Sequence, residues 1–255
     1  MSELARTEAS LRFENVTLGY DGHPAVHHLD GVIAPSSLTA VVGPNGSGKT
    51  SLLKGIVGQL APLEGRIRIE GVDPRRIAYL PQQASIDRTF PMTVFELIAL
   101  GAWPRIGAFG ALDAEEHGRI ARAISAVGLE GFERRTIDAL SGGQLQRCLF
   151  ARVLVQDSPL VLLDEPFSAI DARTAKDLMA LIDRWHGERR TVIAVLHDLD
   201  LVKERFPQAL LLARDVVAWG STGSVVTAAN LLKARAMSER WDERADWCER
   251  APAKT

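Results

Sequence analysis

No apolar run in this chain approaches the ~18 residues that a bilayer-spanning helix needs, so a membrane role has to come from docking to another chain. The opening residues mix Glu3, Arg6 and Glu8 with short apolar side chains and lack the apolar core of a secretory signal. Cysteine is scarce. Cys148 and Cys248 have neither metal-ligand nor paired spacing, which points to a reducing compartment and excludes a disulfide framework. Charge of one sign is missing as well: the net charge of −2 leaves no electrostatic footprint for nucleic acid. Repeats and low-complexity tracts are absent. What remains is the composition of a folded chain, 46% apolar over 255 residues, long enough for one large domain or two small ones.

The most informative stretch runs from Gly43 to Thr50, Gly-Pro-Asn-Gly-Ser-Gly-Lys-Thr. It fits the phosphate-binding loop, in which spaced glycines precede Lys and a hydroxyl residue. Leu38 to Val42 reads as a buried strand ahead of it, and Ser51 to Leu60 as a helix behind it. Such a loop turns backbone N–H groups toward one concavity, and the helix adds its positive end. In this reading Gly43, Pro44, Asn45, Gly46, Ser47, Gly48, Lys49, Thr50 and Ser51 bind nucleotide. Lys49 reaches the β- and γ-phosphates, and the Thr50 hydroxyl ligates Mg²⁺.

Before the loop, Leu11 to Tyr20 reads as a strand, with turn signals at Asp21-Gly22-His23-Pro24 and Pro35-Ser36. Gly65 to Glu70 and Ile77 to Leu80 add short strands, which suggests a mixed sheet. From Thr93 to about Leu140 the pattern turns helical. Asp113 with Glu116 resembles a capping box, and Ile120, Ile124 and Val127 form a stripe. Ser141 opens a helix to about Gln156, in which Cys148 reads as a core residue. Val161 to Leu163 is a strand, and Asp171 caps a helix with Leu178, Ile182 and Trp185 on one face. Thr191 to Leu196 is a further strand, and Ala209 to Trp219 a hairpin around Arg214-Asp215. The tail beyond Ala228 starts helical and frays by Glu249, and Cys248 reads as a free thiol.

Asp164 and Glu165 end an apolar strand, where α/β sheets place ligands. Two adjacent carboxylates there need a nearby cation. Mg²⁺ supplies one, with Asp164 as its direct or indirect partner and Glu165 as general base for an attacking water. Ser141, Gly142, Gly143 and Gln144 have the spacing of a helix cap. The paired glycines argue for more, since each costs ~1 kcal/mol inside a helix. A helix N-terminus stripped of side chains suits a close phosphate contact.

Leu140 to Arg147, Leu-Ser-Gly-Gly-Gln-Leu-Gln-Arg, resembles the signature motif of ATP-binding cassette (ABC) ATPases. The order of seven motifs matches that family over about the first 220 residues: Tyr20, the phosphate loop, Gln82, the signature, Asp164-Glu165, Ser168-Ala169-Ile170-Asp171 and His197. The resemblance implies an α/β fold of the P-loop NTPase type. It has a RecA-like mixed sheet core, an antiparallel β subdomain and a helical signature-motif subdomain at about 84–155. One ABC ATPase domain then covers 1–230, and a C-terminal helix with a frayed tail covers 231–255. It also implies roles: Tyr20 stacks on adenine, and Gln82 contacts Mg²⁺ and the attacking water. His197 supports Glu165 and holds the γ-phosphate. Ser141 and Gly143 bind ATP held by a second copy in a head-to-tail homodimer, and Asp171 acts across that dimer. Ile170 in place of Leu, and the order Thr50-Ser51, depart from the usual pattern without removing a functional group.

Asp87 to Val94, then Gly101 and Ile106-Gly107, resembles the matching stretch of zinc and manganese importers. The expectation is an ATPase subunit on the cytoplasmic face of the inner membrane. Its partners are an integral-membrane permease and, indirectly, an extracytoplasmic substrate-binding protein. Phe90, Met92, Phe95, Trp103 and Phe109 either dock to the permease or fill the helical subdomain's own core. His23, His27 and His28 lie near Asp21 and Asp30. Their spacing fits no familiar zinc pattern, so a solvated strand and turn describes them better than a metal sensor. Three other readings stay open: a transporter ATPase for another small substrate or for export, a soluble ABC ATPase, and a non-hydrolysing nucleotide-dependent module. The short helical insert and single cassette disfavour the second, and Glu165 with His197 disfavours the third.

Overall fold

The computed structural model describes residues 8–82, 87–107, 110–168 and 170–239. Phe109, Ala169, Cys248 and the tail from residue 240, each given a reading above, lie outside them. The strands are β1 (Ser10–Tyr20), β2 (His23–Ile33), β3 (Leu38–Val42), β4 (Glu64–Glu70), β5 (Ala78–Leu80), β6 (Leu160–Asp164), β7 (Thr191–Val195), β8 (Gln208–Ala213) and β9 (Asp215–Ser221). The helices are α1 (Lys49–Ile56), α2 (Val94–Ala99), α3 (Trp103–Ile106), α4 (Ala114–Ala126), α5 (Gly142–Gln156), α6 (Ala172–Gly187), α7 (Leu199–Arg205), α8 (Thr222–Val225) and α9 (Ala228–Glu239). Among the described residues, no helix is long and apolar enough to cross a membrane. The chain forms two compact units, one built mainly from 69–196, the other from 11–33, 39–68 and 197 onward.

In the first unit β5, β6 and β7 pair in parallel, with Ala78 opposite Val161 and Leu160 opposite Thr191. Every residue of β6 and β7 is buried. Parallel strands are covered on both faces, which is why these two read as unbroken apolar runs. α6 buries Leu178, Ile182 and Trp185 as their spacing predicts, and Trp185 stacks on Phe150 of α5 with ring centroids 6.0 Å apart. Cys148 is buried on the same helix α5, and burial pushes its thiol up to about 12, leaving it a core residue with little thiolate. Phe90 and Trp103 are 58% and 53% exposed, whereas Met92 and Phe95 are half-buried.

The helices expected between Thr93 and about Leu140 are α2, α3 and α4, and the capping box expected at the third of them is only half formed. Asp113 accepts from the Glu116 N–H at 2.8 Å, but the Glu116 carboxylate does not return to Asp113. Instead the Arg105 guanidinium takes it, at 2.8 and 2.6 Å. Arg105 also donates to the Val155 and Gln156 carbonyls at 2.7 and 3.2 Å, capping the C-terminus of α5. The complete box lies on α2, where Thr93 and Glu96 exchange bonds.

The Arg105 hydrogen bond, with its charge, holds the buried Glu116 carboxyl below its usual 4.5. A carboxyl lowered in the folded state stabilises the fold above its unfolded value, and that stabilisation is lost as pH falls through the folded value. Glu116→Gln is therefore expected to cost about 1–3 kcal/mol at neutral pH. The difference from the parent should shrink in acid, as followed by urea melts at several pH values.

In the second unit β1 lies between β2 and β4 and runs antiparallel to β2. β3 pairs in parallel with β8, which forms the expected antiparallel hairpin with β9. The hairpin turns at Arg214, whose φ of 64° is left-handed. Strand β2 bears out the strand in the reading of His23, His27 and His28 as a solvated strand and turn, and corrects its solvation. Val26, Leu29 and Ile33 are buried, and so is His27, whose imidazole burial pushes its pKa down. Pro24 and Gly31 obscure the strand's extent and its buried face, since both weaken a strand. Gly31 has a reason of its own: a Cβ there would lie 2.4 Å from the Trp219 ring, which meets Phe13 edge-on at 5.9 Å.

Two helices also differ from expectation. α1 begins at Lys49 and stops at Ile56 rather than running from Ser51 to Leu60, because Gly48 (φ 92°) and Gly58 (φ 75°) bracket it. α7 has no counterpart in the periodicity. Asp198 starts it by accepting from the Asp200 and Leu201 N–H groups, both at 3.0 Å.

Candidate functional site

The second unit carries the phosphate loop, and its glycines do different jobs. β3 delivers the chain to Gly43, where an added Cβ would sit 1.9 Å from the Leu212 carbonyl oxygen of β8. At Gly48 it would lie 2.3 Å from the Ala25 oxygen of β2. Both positions let the loop press against neighbouring backbone. Gly46 has φ 75°, and a Cβ there would have nothing within 4 Å among the described residues, so it faces open space. The Arg214 N–H donates to the Ser47 carbonyl at 3.1 Å, tying the loop to the β8–β9 turn.

Polar groups inside the loop fit a phosphate. The Ser47 side chain is buried and its hydroxyl has no hydrogen-bond partner among the described residues. A buried hydroxyl in that state calls for a ligand, and phosphate oxygens supply acceptors. Lys49 is buried with its ammonium donating to the Gly43 and Pro44 carbonyls at 2.9 and 2.8 Å. Thr50 and Ser51 follow in the first turn of α1, at the helix's positive end. Tyr20 ends β1, 46% exposed, with the Lys54 ammonium 5.8 Å from its ring centroid. His197 is exposed and directly precedes the α7 cap.

These contacts predict a contrast. Gly43→Ala must displace the β8 backbone, and an order-of-magnitude cost is about 2–4 kcal/mol of folding stability. Gly46→Ala meets no atom and carries only the left-handed backbone term, about 1–2 kcal/mol. Thermal melts of the two ligand-free variants check the order.

The first unit carries the carboxylates. Asp164 ends β6 fully buried, with the Tyr79 hydroxyl of β5 at 3.5 Å from Oδ2. Glu165 follows with φ 50°, left-handed backbone that side-chain-bearing residues seldom adopt. The Gln82 amide donates to Glu165 Oε2 at 2.9 Å, and the Ser168 hydroxyl donates to the same oxygen at 3.0 Å. The Thr50 hydroxyl and the Asp164 carboxylate are hard oxygen donors of the kind Mg²⁺ takes.

Ser141 and Gln144 do form the capping box at the start of α5, with bonds of 3.2 and 2.9 Å. Gly142 and Gly143 are the first two helical residues, and among the described residues a Cβ at Gly143 would meet only Ile170 Cγ2, at 3.9 Å. The helix end is thus both capped and open to an approaching anion. Buried Gln146 donates to the Pro166 carbonyl at 2.6 Å. Arg147 donates to the Val127 carbonyl and to Thr174 Oγ1, each at 2.9 Å. Asp171 accepts from the Thr174 N–H at 2.9 Å and its hydroxyl at 2.7 Å, and these bonds hold its carboxyl below the usual range. Signature helix and Asp171 are therefore linked through Thr174.

Within each unit some of the predicted residues meet. Gly43 to Ser51 form one loop and helix start, and Gln82 meets Glu165. Pattern reading gave no role to Tyr79 or Thr174, and held Gln146 and Ser168 only as members of the signature and of the loop before Asp171; the Tyr79–Asp164, Gln146–Pro166 and Arg147–Thr174 contacts arise on folding. Ser168 alone carried a local signal, three positions after Glu165 in a turn.

Comparison with known proteins places this geometry. The family description of the ABC transporter matches residues 26–168. The zinc transport system ATP-binding protein TroB of Treponema pallidum is 38% identical over 231 residues, 89% of this chain and 87% of that one. The manganese transport system ATP-binding protein MntB of Listeria monocytogenes is 34% identical over 221 residues, 85% of this chain and 92% of that one. A solved structure assigned to the metal-chelate type of ABC transporter, inward-facing, superposes with a TM-score of 0.79 at 26% identity, covering 89% of each chain. The chain belongs to the ABC transporter family, as an ATP-binding, ATP-hydrolysing subunit.

Proposed function

We propose that this chain is the ATPase subunit of a bacterial importer for a divalent metal ion, zinc or manganese. The observation that carries the reading is the 38% identity with a zinc-system ATPase across 89% of the chain. Residues 1–230 act as one ATPase domain with the helical part at about 84–155. Phe90 and Trp103 form the exposed apolar surface that meets the permease, which holds the chain at the cytoplasmic face of the inner membrane. An extracytoplasmic binding protein delivers the ion to that permease.

In this reading Tyr20 stacks on adenine, and Gly43, Pro44, Asn45, Gly46, Ser47, Gly48 and Ser51 shape the phosphate cradle. Lys49 reaches the β- and γ-phosphates. Thr50, Gln82 and Asp164 hold Mg²⁺, which when bound neutralises charge on the β- and γ-phosphates. Glu165 takes the proton of the attacking water, and His197 orients that water and the γ-phosphate. Ser141, Gly142, Gly143 and Gln144 bind the triphosphate held by a second copy, and Asp171 reports across that homodimer. The work done by the protein is positioning and charge stabilisation.

Phosphate release by the purified chain with MgATP tests the enzymatic part. Steady release that stops when Mg²⁺ is chelated is expected. ATP binding with no release, even with the permease present, would make the chain a nucleotide-dependent binding module.

A further inference from the structure

Glu165 is tied to Ser168 twice over. The Ser168 N–H donates to the Glu165 carbonyl at 3.2 Å, and the Ser168 hydroxyl donates to the Glu165 carboxylate at 3.0 Å. The first bond closes the turn that follows β6. The second reaches the oxygen that Gln82 also holds, at 2.9 Å, from the end of β5. The carboxylate is thus gripped from two segments, while its backbone sits at a φ of 50°. Left-handed backbone on a residue with a side chain persists when the surroundings over-determine it. A glutamate without such partners spreads over several rotamers, and ordering it costs entropy.

We propose that Ser168 is a positioning residue for hydrolysis: its hydroxyl fixes the orientation of the Glu165 carboxylate. The inference rests on the reading of Glu165 as general base. Ser168 acts through Glu165 and needs no contact with nucleotide. A purely structural Ser168 would work through its N–H, which alanine retains; the proposed role needs the hydroxyl, which threonine retains.

The test is steady-state ATP turnover by the full chain carrying Ser168→Ala, Ser168→Thr, Glu165→Gln, or Ser168→Ala with Glu165→Gln. Ser168→Ala is expected to lower kcat about tenfold, the scale of a lost hydrogen bond to a charged group, with KM for ATP unchanged. Ser168→Thr should recover most of the loss. Adding Ser168→Ala to Glu165→Gln should cost nothing more, because the residue it orients has already lost its function. A slow Glu165→Gln beside an unaltered Ser168→Ala overturns the inference alone. So does a Thr variant as slow as Ala, or an alanine loss that persists undiminished in the Gln background. A Glu165→Gln variant as fast as the parent removes the general-base reading itself, and this inference with it.

Discussion

Glu165→Gln is expected to bind ATP as the parent does and to release phosphate ~10²–10⁴-fold more slowly, the usual share of a general base. The argument is one of shape against basicity. A carboxamide fills the same space and can still accept the bonds that Gln82 and Ser168 donate, at 2.9 and 3.0 Å in the parent. The turn after β6 should therefore survive. What the amide cannot do is take a proton from water at neutral pH. A nucleotide titration beside a phosphate-release assay separates the two properties. Equal affinity with lost turnover is the expected pair, and an undiminished rate would remove Glu165 from its assigned role.

Lys49→Ala should act on the other property. The ammonium bridges the Gly43 and Pro44 carbonyls at 2.9 and 2.8 Å, so it lies against the start of the loop to which the β- and γ-phosphates are assigned. Hydrogen bonds to charged groups are worth about 1.5–3 kcal/mol, which corresponds to roughly a ten- to hundredfold loss in affinity. Alanine also strips two loop carbonyls of their donor, so the ligand-free loop should loosen with it. Calorimetric titration with a non-hydrolysable ATP analogue reads the affinity directly. Affinity within twofold of the parent would mean that the triphosphate does not lie on this loop.

Much of this protein is legible before folding, and the illegible parts share a physical cause. β6, β7 and the stripe on α6 follow from periodicity, because burial on both faces or on one helix face leaves its mark on every residue. The β8–β9 hairpin follows from its turn dipeptide. β2 is read only as a solvated strand and turn because Pro24 and Gly31 interrupt its pattern, and the Trp219 ring that packs against Gly31 comes from far along the chain. The capping box at Asp113 fails for a similar reason: Arg105 outbids the local backbone for Glu116. In the site, motif spacing picks out the phosphate loop, Glu165 and the signature glycines. It is silent on Tyr79 and on the Arg147–Thr174 bond, whose members meet only once the first unit has folded, while the Asp171–Thr174 cap is local.

The proposed function rests on one claim, that ATP hydrolysis by this chain drives uptake of zinc or manganese. The most direct test is the zinc and manganese content of cells on metal-poor medium, comparing the parent chain, its deletion, and Glu165→Gln as the only copy. The account predicts that at least one of the two ions falls to the deletion level in the Glu165→Gln cells. Unchanged content of both ions in the deletion and the variant alike would contradict it.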